Sequence, residues 1–467
     1  MEFRVETDSM GEVQVPSNVL WGAQTQRSLM NFDISNRKFP IPFLRALIET
    51  KRACAIANKE LGVLDPKIAD AIVKATETVL KDEMYDQFPL DIYQTGSGTQ
   101  TNMNANEVLS NLAIKICGGE IGSKKPVHPN DHVNRGQSSN DVIPTAMYVS
   151  ASSEVVHRLI PAINHMLEML DSKVEEFKDI IKIGRTHLQD AVPCTLGQEF
   201  GGYAAQLRMS LSHITETYKH LLNLALGGTA VGTGLNAHPE MAGKAISTLS
   251  GRYEISFSNN GNRFALLAGK DAIVATSGAL KTLSVSLIKI ANDIRFLGSG
   301  PRVGLGELII PANEPGSSIM PGKVNPTQAE MLVQVGAQVI GNDTAITNGG
   351  IQGYFELNLM KPMLTSNILE SIDILTRGII SFSDNCLKGL KADTNHIGSL
   401  VEKSLMLVTA LTTYSKDGHI PYPYDKAASI AKRALREGLT IREVLRAEGI
   451  LTDSEIEEAL DLRKMVR

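Results

Sequence analysis

The chain has few cysteines, almost no tryptophan, no basic block and no long apolar run, and each shortage removes a class of protein. The four cysteines, Cys54, Cys117, Cys194 and Cys386, are far apart and form no C-x-x-C pair. Neither a disulfide framework nor a zinc knuckle is therefore expected. Aromatic residues are only 5% of the 467, with one Trp, so a stacking platform for single-stranded nucleic acid is unsupported. Lys plus Arg number 46 against 51 Asp plus Glu, a formal charge of −5 without a basic stripe, which argues against a nucleic-acid partner. No window approaches eighteen uninterrupted apolar residues, and the first residues, MEFRVETDSMGEV, are charged from the second position. A cytoplasmic protein with no membrane partner is expected.

What is present is helix. Residues 43 to 61, 66 to 81 and 102 to 116 carry helical apolar spacing between Gly and Pro breaks, after an irregular arm with a small hairpin around Val13 to Val15. The longest periodic run is Val155, Leu159, Ile163, Met166, Leu170, Val174 and Phe177, with Pro161 inside it as a kink. Similar runs occupy about 198–226, 270–297, 327–346 and 366–390, so five long helices point to a bundle. Small residues such as those from Ala272 to Ala279 favour close helix approach in an oligomer. Beyond Ala392 the segments shorten, and Thr440 with Glu443 and Thr452 with Glu455 read as capping boxes. The strand signal is too weak for a central parallel sheet. The fold class is mainly α, divided as 1–137, 138–391 and 392–467.

Chemistry concentrates in the stretch Gly316-Ser317-Ser318-Ile319-Met320-Pro321-Gly322-Lys323-Val324-Asn325-Pro326. Its prolines and glycines bar regular helix, and Thr327 with Glu330 is placed to cap the helix that follows. Two hydroxyls, one ammonium, one amide and backbone donors suit a carboxylate, although a surface turn has the same composition. The clusters Ser97-Gly98-Thr99-Gln100, Ser138-Ser139-Asn140-Asp141 and Thr186-His187 are small hydrogen-bonding groups. The first two stand where helices start, and helix N-termini attract carboxylates. His128 and His132 are four apart, but Pro129 follows the first and no H-E-x-x-H pattern exists, so no metal is expected. Gly298, Gly300, Gly304 and Gly306 do not form a dinucleotide fingerprint.

The 316–326 stretch resembles the fumarase/aspartase superfamily signature G-S-x-x-M-x-x-K-x-N at every fixed position. The resemblance extends to WGAQTQRS from Trp21, TGSGTQTNMNANEV from Thr95, HPNDHVNRGQSSND from His128, GRTHLQDAVP from Gly184 and GGTAVGTGLNAHPE from Gly227. Gly322, Thr327-Gln328, His238-Pro239 and GGIQGYFELN from Gly349 resemble the metal-independent fumarase branch. The tail departs from the family pattern over Thr412 to Asp417.

The resemblance implies a three-domain lyase with a twenty-helix core in a homotetramer, hydrating fumarate to L-malate without a cofactor. It implies Ser317 as the base, Lys323 and Asn325 on the carboxylate whose charge grows, and His187 on the departing water with Glu330 near it. Ser97, Gly98, Thr99, Ser138, Ser139, Asn140, Thr186, Ser318 and Val324 would complete the substrate site. His128, Pro129, Asn130 and Asp131 would form a second, non-catalytic dicarboxylate site. The alternatives are aspartate ammonia-lyase, which would use the same loop, and a non-catalytic helical scaffold.

Overall fold

The computed structural model describes residues 2–466 and is mainly helical, with four two-stranded antiparallel sheets. It resolves into two compact units. One comprises residues up to Ala162, Ser210–Ser284 and Val335–Arg377, and the other Ile163–Met209, Val285–Gln334 and the chain from Gly378 onward.

In the first unit the hub is the Ile41–Glu60 helix, which packs against Pro66–Lys81, Ser139–Glu154 and Met241–Tyr253. Phe43, Leu44, Leu47 and Ile48 with Ala46, Ala53 and Ala57 bury most of its circumference, as a helix enclosed by neighbours requires. The Thr99–Ile116 helix breaks ordinary patterning, since Asn102, Asn104, Asn106, Glu107, Ser110 and Asn111 are all buried. Their partners explain it. Asn104 donates to Gln87 O and Asn111 to Leu20 O, both at 2.9–3.0 Å. Glu107 accepts the N–H groups of Gly22, Gln24 and Thr25 at 2.8–3.1 Å. The Ala23–Asn31 helix has no side-chain cap of its own, so Glu107 satisfies its first donors from another helix. Burial raises the Glu107 carboxyl against those hydrogen bonds.

In the second unit, strands Ile181–Thr186 and Gln189–Thr195 form a hairpin whose two turn residues, His187 and Leu188, have φ of 58° and 60°. Left-handed backbone at both positions suits the twist of a two-residue hairpin. Beneath it, Glu307, 1% exposed, pairs with Arg185 at 2.5 Å and Lys182 at 3.2 Å, and Lys182 lies 3.3 Å from Glu199. Glu307→Gln keeps the shape but leaves two cations without their shared partner. A loss of about 3–5 kcal/mol follows for a broken buried pair, read as a melting temperature several degrees lower at pH 7. An unchanged melting temperature would mean that the ions do not hold the hairpin.

The tail packs Val401, Leu407, Leu411, Ile430, Val444, Leu445 and Ile456 into a core that also takes Ile183 of the hairpin. Both expected capping boxes are present, at Thr440 with Glu443 and Thr452 with Glu455. The divergent 412–417 stretch ends a 3₁₀ segment, Leu405–Thr412, and turns through Asp417 and Gly418 at positive φ.

The five long periodic runs form the helices Ile160–Glu176, Leu196–Thr217, Asp271–Leu297, Thr327–Gly350 and Lys361–Phe382, the second continuing beyond Thr217 only as a 3₁₀ turn, Tyr218–Leu222, and so stopping short of 226. Pro161 does not end its helix. The chain runs on from Ser139–Glu154 through a π-helical turn, Val155–Leu159, into Ile160–Glu176. The wider turn accommodates the missing proline N–H. Among the described helices only Asp271–Leu297 has the length and apolarity of a membrane span, and 56% of that window is buried inside the fold, as in a core helix. The expected Thr327 cap is corrected. Thr327 is already helical, and Pro326 O accepts from the N–H of Glu330 at 3.1 Å, so Pro326 occupies the N-cap position.

Candidate functional site

The first unit gathers the hydroxyl clusters. Gly98, at φ 75°, turns the chain into the Thr99–Ile116 helix, and Gly96 lies so close to Leu359 that a Cβ would stand 1.5 Å from its carbonyl oxygen. This brings the Ser97 hydroxyl 2.7 Å from Thr99 Oγ1, which lies 2.8 Å from Ser139 Oγ. Ser138 caps the Ser139–Glu154 helix in a capping box with Asp141. Two helix N-termini and a chain of hydroxyls thus meet.

Asp141 is fully buried. It accepts N–H bonds from Ser138, Gly227 and Thr229 at 2.9–3.0 Å, while Asn140 Nδ2 donates to Ala230 O at 2.8 Å. The pair fastens the 227–230 loop to the helix start. Burial raises the Asp141 carboxyl, and the three backbone donors and Lys51 oppose the rise. Thr99, Ser138 and Ser139 open onto a cavity of about 810 Å³ also lined by Asn102, Asn134 and Gln137, with Asn130 and Asp131 on its wall.

Asn130 also lines a second cavity of about 330 Å³, with His128, Pro129 and Lys124. His128 Nδ1 accepts the N–H groups of Asn130 and Asp131 at 3.2 Å, and His132 Nδ1 accepts that of His128 at 2.8 Å. The carboxylates of Glu6, Asp8 and Glu107 line this cavity too, each engaged by Arg4, Arg27 or backbone N–H groups. Among the described residues no cluster of three or more His, Cys, Asp or Glu side chains is placed to hold a metal ion.

The second unit carries the other expected residues. The 316–325 loop is closed at its base by Gly316 N–H to Lys323 O at 2.9 Å and Asn325 Nδ2 to Gly316 O at 2.6 Å. Ser317 Oγ accepts from the N–H groups of Ile319 at 3.3 Å and Met320 at 3.0 Å, so two backbone donors converge on that oxygen. Ser318, Lys323, Val324 and Glu330 are exposed, as are Thr186 and His187 at the hairpin tip.

This arrangement has counterparts. A family model described as a lyase matches residues 11–341, and one described as the fumarase C C-terminus matches residues 423–467. The class II fumarate hydratase of Caulobacter vibrioides is 54% identical over 99% of this chain and 98% of its own. That of Methylorubrum extorquens is 53% identical over 98% of this chain and 96% of its own. The chain belongs to the class II fumarase family. The crystal structure of a class II fumarase from Schistosoma mansoni shares its fold, with a TM-score of 0.95 at 41% identity over 99% of each chain.

Within this class II fumarase fold, sequence reasoning missed the buried charges of the first unit. Lys51 is 0% exposed, and a signal existed, because it lies between Leu47 and Cys54 on a buried apolar face of its helix. Lys361 is also 0% exposed, its Nζ has no hydrogen-bond partner among the described residues, and its N–H donates to Gly96 O at 3.2 Å. No local pattern marks it.

Burial holds the Lys361 amine at about 7, against 10.5 for an ordinary lysine, with Asp141 opposing. Below the lower value both folded and unfolded chains hold the proton, and the cost of burying the charge is fully present. Between the two values the folded chain sheds it first, and stability rises with pH. Lys361→Met removes that cost, so its gain in melting temperature is expected to be larger at pH 6 than at pH 9. Equal gains at the two pH values would refute the titration.

Proposed function

We propose that the protein is a fumarate hydratase that interconverts fumarate and L-malate without a cofactor. The observation that carries this is the full-length match, above 50% identity, to curated class II fumarate hydratases. In the dehydration direction a proton leaves the carbon beside one carboxylate, the electron pair is held as an aci-carboxylate, and hydroxide then leaves the neighbouring carbon, the proton and the hydroxide together making up the water released.

Ser317 is the base in this reading, and the N–H groups of Ile319 and Met320 favour its charged form. Lys323 and Asn325 hold the carboxylate that gains charge, with Ser318 and Val324 beside them. Ser97, Gly98, Thr99, Ser138, Ser139, Asn140 and Thr186 receive the remaining polar groups, and His187 orders the departing water, with Glu330 steadying the imidazole. His128, Pro129, Asn130 and Asp131 form a second dicarboxylate site. The division 1–137, 138–391 and 392–467, a cytoplasmic homotetramer with a twenty-helix core, and sites assembled from several subunits belong to the same reading. Exposure of the Ser317 loop and of His187 in the single chain supports it.

The test is absorbance of fumarate formed from L-malate, beside ammonia released from aspartate. Fumarate formation should dominate without added metal or nucleotide. Faster ammonia release would make the chain an aspartate ammonia-lyase, and neither activity would leave a scaffold.

A further inference from the structure

A fully buried lysine normally pairs with a carboxylate or gives up its proton. Lys51 has a different setting. Its Nζ donates to Asn102 Oδ1 at 2.7 Å, Asn134 Oδ1 at 2.9 Å and Gln137 Oε1 at 2.9 Å. Three acceptors match the three N–H groups of an ammonium, whereas a neutral amine would turn a lone pair toward one of the oxygens. The cage is therefore shaped for the charged form. Burial works against it and holds the amine at about 7, opposed by Asp141 on the Ser139–Glu154 helix. Burial pushes the Cys54 thiol up to about 12, so it is neutral, and the Asp141 oxygens are occupied by backbone N–H groups. Lys51 has no hydrogen-bonded carboxylate.

The same three amides line the 810 Å³ cavity beside Thr99, Ser138 and Ser139. A cation thus lies one side chain behind the wall assigned above to the substrate. Asp131 and Arg135, the charged residues of the wall itself, are exposed and of opposite sign. Resting on that assignment, we propose that Lys51 is a positioning residue that charges the cavity for a dicarboxylate from behind, through Asn102, Asn134 and Gln137, without touching it.

A dianion in the cavity stabilises the ammonium, so binding draws a proton onto the enzyme above neutral pH. By linkage, affinity then falls with pH in that range, by less than tenfold per unit. A charge that acts equally on bound substrate and transition state alters KM and leaves kcat.

The experiment uses the full-length protein and succinate, an unreactive four-carbon dicarboxylate, in calorimetry from pH 6.5 to 9 with buffers of different ionisation enthalpy. The wild type should take up roughly three-quarters of a proton per site near pH 8, with less at either end of the range and the steepest fall in affinity at the same pH. Lys51→Met should bind roughly thirtyfold more weakly at pH 7, the scale of a unit charge acting through a partly screened interior, and lose both uptake and slope. Its KM for malate should rise while kcat stays within about threefold. If Lys51→Met fails to fold, Gln137→Leu keeps the lysine, removes one acceptor and should move the slope to lower pH.

Wild-type binding that is independent of pH with no proton uptake, or uptake retained in Lys51→Met, overturns the proposal. The two readings fail separately. A chain that interconverts malate and fumarate without proton uptake loses only the role of Lys51. One that takes up the proton with succinate but forms no fumarate loses only the hydratase assignment.

Discussion

Lys323→Met is expected to lower kcat/KM for malate by about a hundred- to a thousandfold, the scale seen when a preorganised partner of transition-state charge is removed. Carbanion formation beside a carboxylate places a second negative charge on that group, and a mobile water cannot replace an ammonium fixed in place. The Gly316–Lys323 and Asn325–Gly316 hydrogen bonds clamp both ends of the turn whose backbone carries that lysine. Met has nearly the same length and no charge. The side chain is exposed in the single chain, so the folded stability should barely change, and an unaltered melting temperature is the control. A loss smaller than about tenfold puts less than about 1.4 kcal/mol at stake and would remove Lys323 from the reaction.

Ser317→Ala and His187→Asn chains should each be nearly inactive, yet a mixture refolded in equal amounts should regain roughly a quarter of wild-type activity, provided that contacts in the oligomer are closed and symmetric. The fraction follows from the proposed sharing of each site. A site needs an intact His187 from one chain and an intact Ser317 from another, and each draw succeeds half the time. Mass spectrometry must first show hybrid oligomers. If hybrids are present and the mixture is as inactive as its parents, both residues come from one chain and the shared site is wrong.

The residues legible in advance were those whose environment is set within a few positions. Ser138 caps its helix because a serine before the run Ser139-Asn140-Asp141 can bond backbone only a turn away, and Thr440 and Thr452 follow the same rule. The five long helices were visible as periodicity, and the 316–326 loop as a cluster of helix breakers with polar side chains. Thr327 shows the limit of such reading. It has the composition of a cap, but the first helical hydrogen bond falls to Pro326, a matter of backbone geometry that two side chains do not fix.

The amino-acid sequence by itself determined the helical class, the caps at Ser138, Thr440 and Thr452, the breaks and the family, because each depends on local spacing or on residues that stand together in one segment. Only the tertiary structure decided the fate of the charged groups. Glu107 serves a helix start more than eighty residues away, Lys51 is caged by amides fifty-one to eighty-six residues distant, and Glu307 joins the cations under the His187 hairpin. A buried charge costs several kcal/mol unless partners meet it, and those partners come from whichever segments the fold brings alongside.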